Sequence, residues 1–114
     1  MQQRNLGNSG LLVSAVGLGG NNFGGRIKGA EARAVVHKAL DMGVTFFDSA
    51  DTYGKRGGGQ TGSAEIELAD GLGARRKDIV LSTKFGHAMD DAGKLKGASR
   101  RYIITAVEAS LRRL

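Results

Sequence analysis

The sequence predicts an α/β fold built on a parallel sheet. Three observations carry that expectation. Apolar strand-like runs alternate with segments of helical period, the runs are continuous, and each gives way to a polar or glycine-rich stretch. Continuous runs suit strands buried on both faces, and their alternation with helices suits right-handed βαβ units. In a barrel and in an open sheet alike, function then sits at the carboxyl ends of the strands. Those ends read GLGGNNFGG, DSADTYG and TKFGH.

The opening RNLGNSGLLVS alternates on both sides of Gly-Asn-Ser-Gly, which predicts a β-hairpin over about residues 3–14. A short apolar segment, Val13 to Leu18, then runs into the first glycine-rich end. From Ala30 the period changes: Ala32, Val35, Val36, Ala39 and Leu40 fall on one helical face, and Gly43 suits a C-terminal cap. Val44–Asp48 reads as a buried strand, followed by a glycine-rich loop to Gly62. A helix over about Ser63–Leu72 has Ser63 as its expected N-cap, with Glu65 and Glu67 near the positive end of its dipole. The strand Ile79–Phe85 follows Asp78. Ser99 then caps a last helix with Ile103, Ile104, Val107, Leu111 and Leu114 on one expected core stripe. The order is a hairpin followed by about three β-α units.

At 114 residues the chain is one domain at most. It has no cysteine, which removes disulfides, thiolate nucleophiles and cysteine metal sites, and agrees with a reducing cytoplasm. No apolar run approaches the roughly 20 residues of a membrane span, and the first residues do not form a secretory signal. The net charge of +6 raises nucleic-acid binding as a reading. The charge is evenly spread, however: residues 1–57 carry seven Lys/Arg against four acids, and residues 58–114 carry ten against seven. With few aromatics and none interleaved with the bases, nucleic acid is not the expected partner. A mild basic excess suits an anionic small ligand such as a nucleotide.

Two glycine motifs and two histidines invite functional readings. Gly57–Gly62 satisfies G-x-G-x-x-G but starts nine residues after Asp48 ends its strand, so a flexible loop is the better reading. Gly17-Leu18-Gly19-Gly20 does follow a strand, with Asn21 and Asn22 as amide partners for a flat ligand, but it lacks the third glycine. His37 reads as a helix residue without a site role. His87 stands at the functional edge with no metal partner beside it.

The constellation that matters is Asp48, Tyr53 and Lys84. Asp48 and Lys84 end consecutive strands, and parallel neighbours lie about 4.8 Å apart. A plain ion pair with Tyr53 as packing is one reading. The other has Lys84 tune Tyr53: an ammonium about 4 Å away is worth roughly 4 kcal/mol at an effective dielectric of about 20, up to about three pKa units, enough to make a phenol a useful general acid.

At these residues the chain resembles the aldo-keto reductase family. VTFFDSADTYG is similar to that family's strand ending in Phe-Asp-Ser/Thr-Ala-x-x-Tyr-Gly, and GLGGNNFGGRI, the RNLGNSGLLVS hairpin and LSTKFG resemble it in order and spacing. The resemblance covers essentially residues 1–114 and implies the N-terminal portion of an NADP-dependent oxidoreductase domain. It implies a (β/α)8 barrel plugged at its bottom by the hairpin, with NADPH bound across the top and no Rossmann domain. It implies that Tyr53 protonates the carbonyl oxygen of a small-molecule aldehyde or ketone, that Lys84 lowers its pKa, and that Asp48 pairs with Lys84 and borders the nicotinamide ribose. Gly20, Asn21 and Arg26 match positions that touch the cofactor, and the Asn-Asn-Phe of their loop departs from many relatives. Such barrels take about 250 residues, and the family's catalytic histidine lies on the fourth strand, beyond Leu114. Met1 and the hairpin read as a genuine start, so the expected shortfall is C-terminal, with little activity alone and open sheet edges that favour self-association. The alternative is a non-catalytic regulatory or interaction protein of the same fold, as some relatives are.

Overall fold

The computed structural model describes residues 1–114. Two strands, β1 (Gln3–Asn5) and β2 (Leu12–Ser14), pair antiparallel with Gln3 opposite Ser14, the predicted hairpin. Three further strands, β3 (Gly17–Gly19), β4 (Phe46–Asp48) and β5 (Val80–Ser82), form a parallel sheet in the order β3-β4-β5. Helices α1 (Gly29–Asp41) and α2 (Ser63–Leu72) make the two crossovers, and α3 (Arg100–Arg113) follows β5. The sheet is open, with the outer edges of β3 and β5 unpaired.

The ladder strands are shorter than the apolar runs that predicted them. Val44 and Ile79 lie in the core but precede the ladder, and after Ser82 the chain bonds loop backbone instead, with the Asp51 N–H donating to the Lys84 carbonyl at 2.9 Å. Register puts Asp48 between Gly19 and Ser82. The hairpin is fastened to the opposite end of β4. The Ser14 N–H donates to Thr45 Oγ1 and the Thr45 N–H to Ser14 Oγ, both at 2.9 Å.

Core packing joins one face of each helix to the sheet. Ala32, Val36 and Leu40 of α1 meet Phe47 of β4 and Ala64, Leu68 and Leu72 of α2, together with Phe23, Val44 and Ile79. The helices come close because Gly71 has no side chain; a Cβ there would sit 3.0 Å from Val36 Cγ2. Gly43, at φ +81°, follows the C-cap Met42 of α1 in the left-handed conformation expected of it. Phe23 is 1% exposed, so the aromatic residue of the Asn-Asn-Phe loop anchors the loop in the core.

Three expectations about helix faces and ends need correction. Val35 is exposed; it lines an apolar groove with Val16, Leu18 and Ala39 along the open β3 edge, while the narrower Ala32–Val36–Leu40 row enters the core. Ser63 is the first residue of α2 and not its cap. Gly62 occupies the cap position, and the Ser63 hydroxyl donates to the carbonyls of Gln60 (2.7 Å) and Gly24 (3.1 Å), tying two loops together. Ser99 does cap α3, its hydroxyl accepting the Tyr102 N–H. The buried row of α3, however, is Tyr102, Ala106 and Ser110, and Ile103, Ile104, Val107 and Leu111 are exposed. Of the expected stripe, only Leu114 packs against the core. Docking through this row, on which Arg113 also falls, brings Arg113 to Glu65 of α2.

Candidate active site

The sequence places Asp48 as the last residue of β4, where the pleat that buries Phe47 turns its neighbour the other way. Asp48 Oδ1 accepts from the Ser82 hydroxyl and Oδ2 from the Lys84 ammonium, each at 2.6 Å. Lys84 Nζ also donates to the Ser49 carbonyl at 2.6 Å and stands 4.9 Å from the centre of the Tyr53 ring, within range of a cation–π contact. All three residues named from the sequence therefore meet at one point. Burial works against the charge on Asp48, but the hydrogen bonds from Lys84 and Ser82 and the lysine's charge outweigh it and hold the carboxyl below its ordinary value. Burial likewise works against the Lys84 cation; its hydrogen bond and charge pairing with Asp48, with Tyr53 adding, hold its pKa above the ordinary value. The pair stays ionised.

The remaining named residues line the same mouth. Gly20 follows β3 and donates its N–H to the Asp48 carbonyl at 2.7 Å; a Cβ there would crowd that carbonyl and Leu68 at 3.1 Å. Asn21, Arg26 and His87 line a cleft of about 610 Å³ with Tyr53. His37 is exposed on α1, away from this cleft, in keeping with its reading as an ordinary helix residue.

Beneath the mouth lies a buried polar network that the sequence reading missed. Glu65, fully buried, accepts from the Thr83 hydroxyl at 2.7 Å and from Arg113 Nε at 2.5 Å. Glu65 does stand in the first turn of its helix, near the positive end of the dipole, but it is buried there. Its spacing carried the signal: Glu65, Leu68 and Leu72 follow one another at three and four residues, on the buried face. Arg113 extends the α3 row of Tyr102, Ala106 and Ser110 in the same way. Ser82 was not named from the sequence either; the register of the sheet sets it against Asp48.

Asp51 is 2% exposed beside this network. Burial raises its pKa and the charge of Glu65 adds to that, against the pull of Arg113, the Thr52 N–H and His87. A carboxyl raised in the folded state loses stability as pH climbs from its ordinary 3.8 through the folded value, the reverse of Asp48, whose contribution is lost as pH falls. Asp51→Asn keeps the acceptor oxygen and removes the charge. Urea midpoints should therefore favour the variant over the wild type by a margin that grows between pH 4 and pH 7; a margin constant with pH would contradict this.

The Aldo/keto reductase family profile matches residues 15–114. The L-glyceraldehyde 3-phosphate reductase of Escherichia coli (strain K12) is 36% identical to the chain over its whole length. The "Probable voltage-gated potassium channel subunit beta" of Arabidopsis thaliana is 40% identical over the same span. A holo-form aldo-keto reductase structure from Bacillus halodurans superposes on all of the chain with a TM-score of 0.81 at 33% identity. The chain spans about a third of the length of these relatives: 33% and 34% of the two proteins and 36% of the solved chain. Its open three-stranded sheet thus matches part of an aldo-keto reductase barrel and does not itself close one. With a profile match over residues 15–114 and fold agreement along its full length, the chain belongs to the aldo/keto reductase family.

Proposed function

We propose that residues 1–114 supply the proton-donating half of a carbonyl reductase site that converts an aldehyde or ketone to an alcohol with NADPH. The observation that carries this reading is the Lys84 ammonium, bonded to Asp48 at 2.6 Å and lying 4.9 Å from the Tyr53 ring. Tyr53 delivers its phenolic proton to the carbonyl oxygen. Lys84 stabilises the negative charge left on the phenol oxygen, and Asp48, itself fixed by Ser82, holds the ammonium in place. Because the chain spans about a third of its relatives, the activity is proposed for the full-length polypeptide that carries these residues.

The residues fit the nicotinamide end of such a cofactor. Nothing lies within 4 Å of where a Gly19 Cβ would stand, so bare backbone at the end of β3 is open to a flat ring. Gly20 keeps that backbone close to Asp48, and the Asn21 amide and the Asp48 carboxylate offer a donor and acceptors for ribose hydroxyls. When bound, NADPH would supply the hydride. The test is carbonyl-dependent oxidation of NADPH by the full-length polypeptide, with NADH in parallel. Turnover should follow addition of a simple aldehyde, and no oxidation with either nucleotide would sink the reading.

A second reading, a non-catalytic interaction subunit, is favoured by the 40% identity to the plant channel-subunit protein. Specific capture of a protein partner by a polypeptide without turnover would support it over the first.

A further inference from the structure

The cleft beside Tyr53 is electrostatically one-sided. Arg26, Lys55, Arg56 and His87 line it, and no aspartate or glutamate does. Lys55 reaches Asp91 at 3.5 Å, whereas Arg26 and Arg56 enter no ion pair. Their proximity is imposed by the backbone. The loop after β3 and the loop after Tyr53 touch glycine to glycine: a Cβ on Gly25 would stand 2.8 Å from Gly57 Cα, and one on Gly57 would stand 2.8 Å from the Arg26 nitrogen. Arg26 follows the first of these glycines and Arg56 precedes the second. Two arginines without an ion-pair partner thus line one cleft from adjoining backbone, an arrangement that favours an anion there.

We propose that the carbonyl substrate carries an anionic group, a phosphate monoester or a carboxylate, bound by Arg26 and Arg56 while its carbonyl meets Tyr53. The proposal rests on the reductase reading above. It moves Arg26 from the cofactor, where the sequence resemblance put it, to the substrate. Guanidinium forks match phosphate and carboxylate oxygens in pairs, which gives both charge and orientation. Such an anchor at the rim fixes which carbonyl of a small molecule reaches the phenol.

The test uses the full-length polypeptide that carries residues 1–114, with glycerol 3-phosphate and glycerol as unreactive calorimetric probes. Glycerol 3-phosphate should bind at least about tenfold more tightly than glycerol. The double variant Arg26→Ala, Arg56→Ala should lose that preference, a roughly tenfold to hundredfold fall. Both arginines are exposed, so the variant should keep the wild-type circular dichroism, and Lys38→Ala on α1 should leave the preference intact. Equal binding of the two probes, or a preference that survives the double variant, overturns the proposal. If NADPH displaces glycerol 3-phosphate, and the double variant loses NADPH affinity by the same factor, the arginines serve a cofactor phosphate and the substrate assignment is overturned. Turnover separates the two levels of the argument. Equal kcat/KM for glycolaldehyde and glycolaldehyde phosphate overturns the anionic substrate and leaves the reductase reading standing. Phosphate-dependent probe binding with no carbonyl turnover refutes the reductase reading and leaves the anion site.

Discussion

Tyr53→Phe is expected to lower carbonyl reduction by the full-length polypeptide about 10²- to 10⁴-fold, the range for losing a positioned general acid. The substitution removes one oxygen. The ring packs against the core and against Lys84, and phenylalanine keeps both contacts, so folding should be unaffected. NADPH affinity should also hold, because the residues assigned to the nicotinamide end lie on β3, β4 and the loop after β3. Steady-state kinetics with a fixed aldehyde, beside NADPH fluorescence titration, separates the two quantities. Wild-type turnover in the variant would refute the role given to Tyr53. The Asp48–Lys84 pair supports the same reading from another side. With side chains 41% and 47% exposed, it is worth roughly 0–1 kcal/mol to folding, so its close geometry is better explained by chemistry than by stability.

Arg113→Ala carries the largest expected cost in stability, about 3–5 kcal/mol. It would leave Glu65, at 0% exposure, with the Thr83 hydroxyl as its remaining partner. Against a total stability of about 5–15 kcal/mol, such a loss removes roughly a fifth of it or more, and at the low end it leaves folded and unfolded molecules in comparable numbers. The pair joins the start of α2 to the end of α3 and, through Thr83, to the residue before Lys84. Replacing both charges, Glu65→Leu with Arg113→Met, should recover most of the loss, because apolar residues of similar volume need no partner. Urea unfolding of the two variants measures this; a cost below about 1 kcal/mol for Arg113→Ala would show that the buried charge finds another partner.

The fold and the meeting of Asp48, Tyr53 and Lys84 were legible for one reason. Strand ends in a parallel sheet are marked by an abrupt change of polarity, and the change at Phe47–Asp48 is as sharp in the sequence as in the structure. What escaped was which face of a helix is covered. In α3 the aliphatic residues fall on one stripe, and Tyr102, Ala106 and Ser110 on another. Hydropathy names the first as core, whereas the surface available to dock against took the second. Glu65 escaped because charge outweighed position: its place on the Leu68–Leu72 row pointed inward, but a carboxylate there needs Arg113, forty-eight residues away, and no local pattern announces that partner. Ser63 likewise looked like a cap because it stands beside one, and its hydroxyl was needed to join two loops.

Strand β4 also carries two different kinds of contact at its two ends over a very short length. At Thr45 the chain is sewn to the hairpin by a reciprocal pair of hydrogen bonds, and at Asp48, three residues on, it holds the ammonium beside Tyr53. Changes at the first end act on whether the protein persists, and changes at the second on what it does once folded. A chain wired this way can vary at one tip of a strand without loosening the seam at the other.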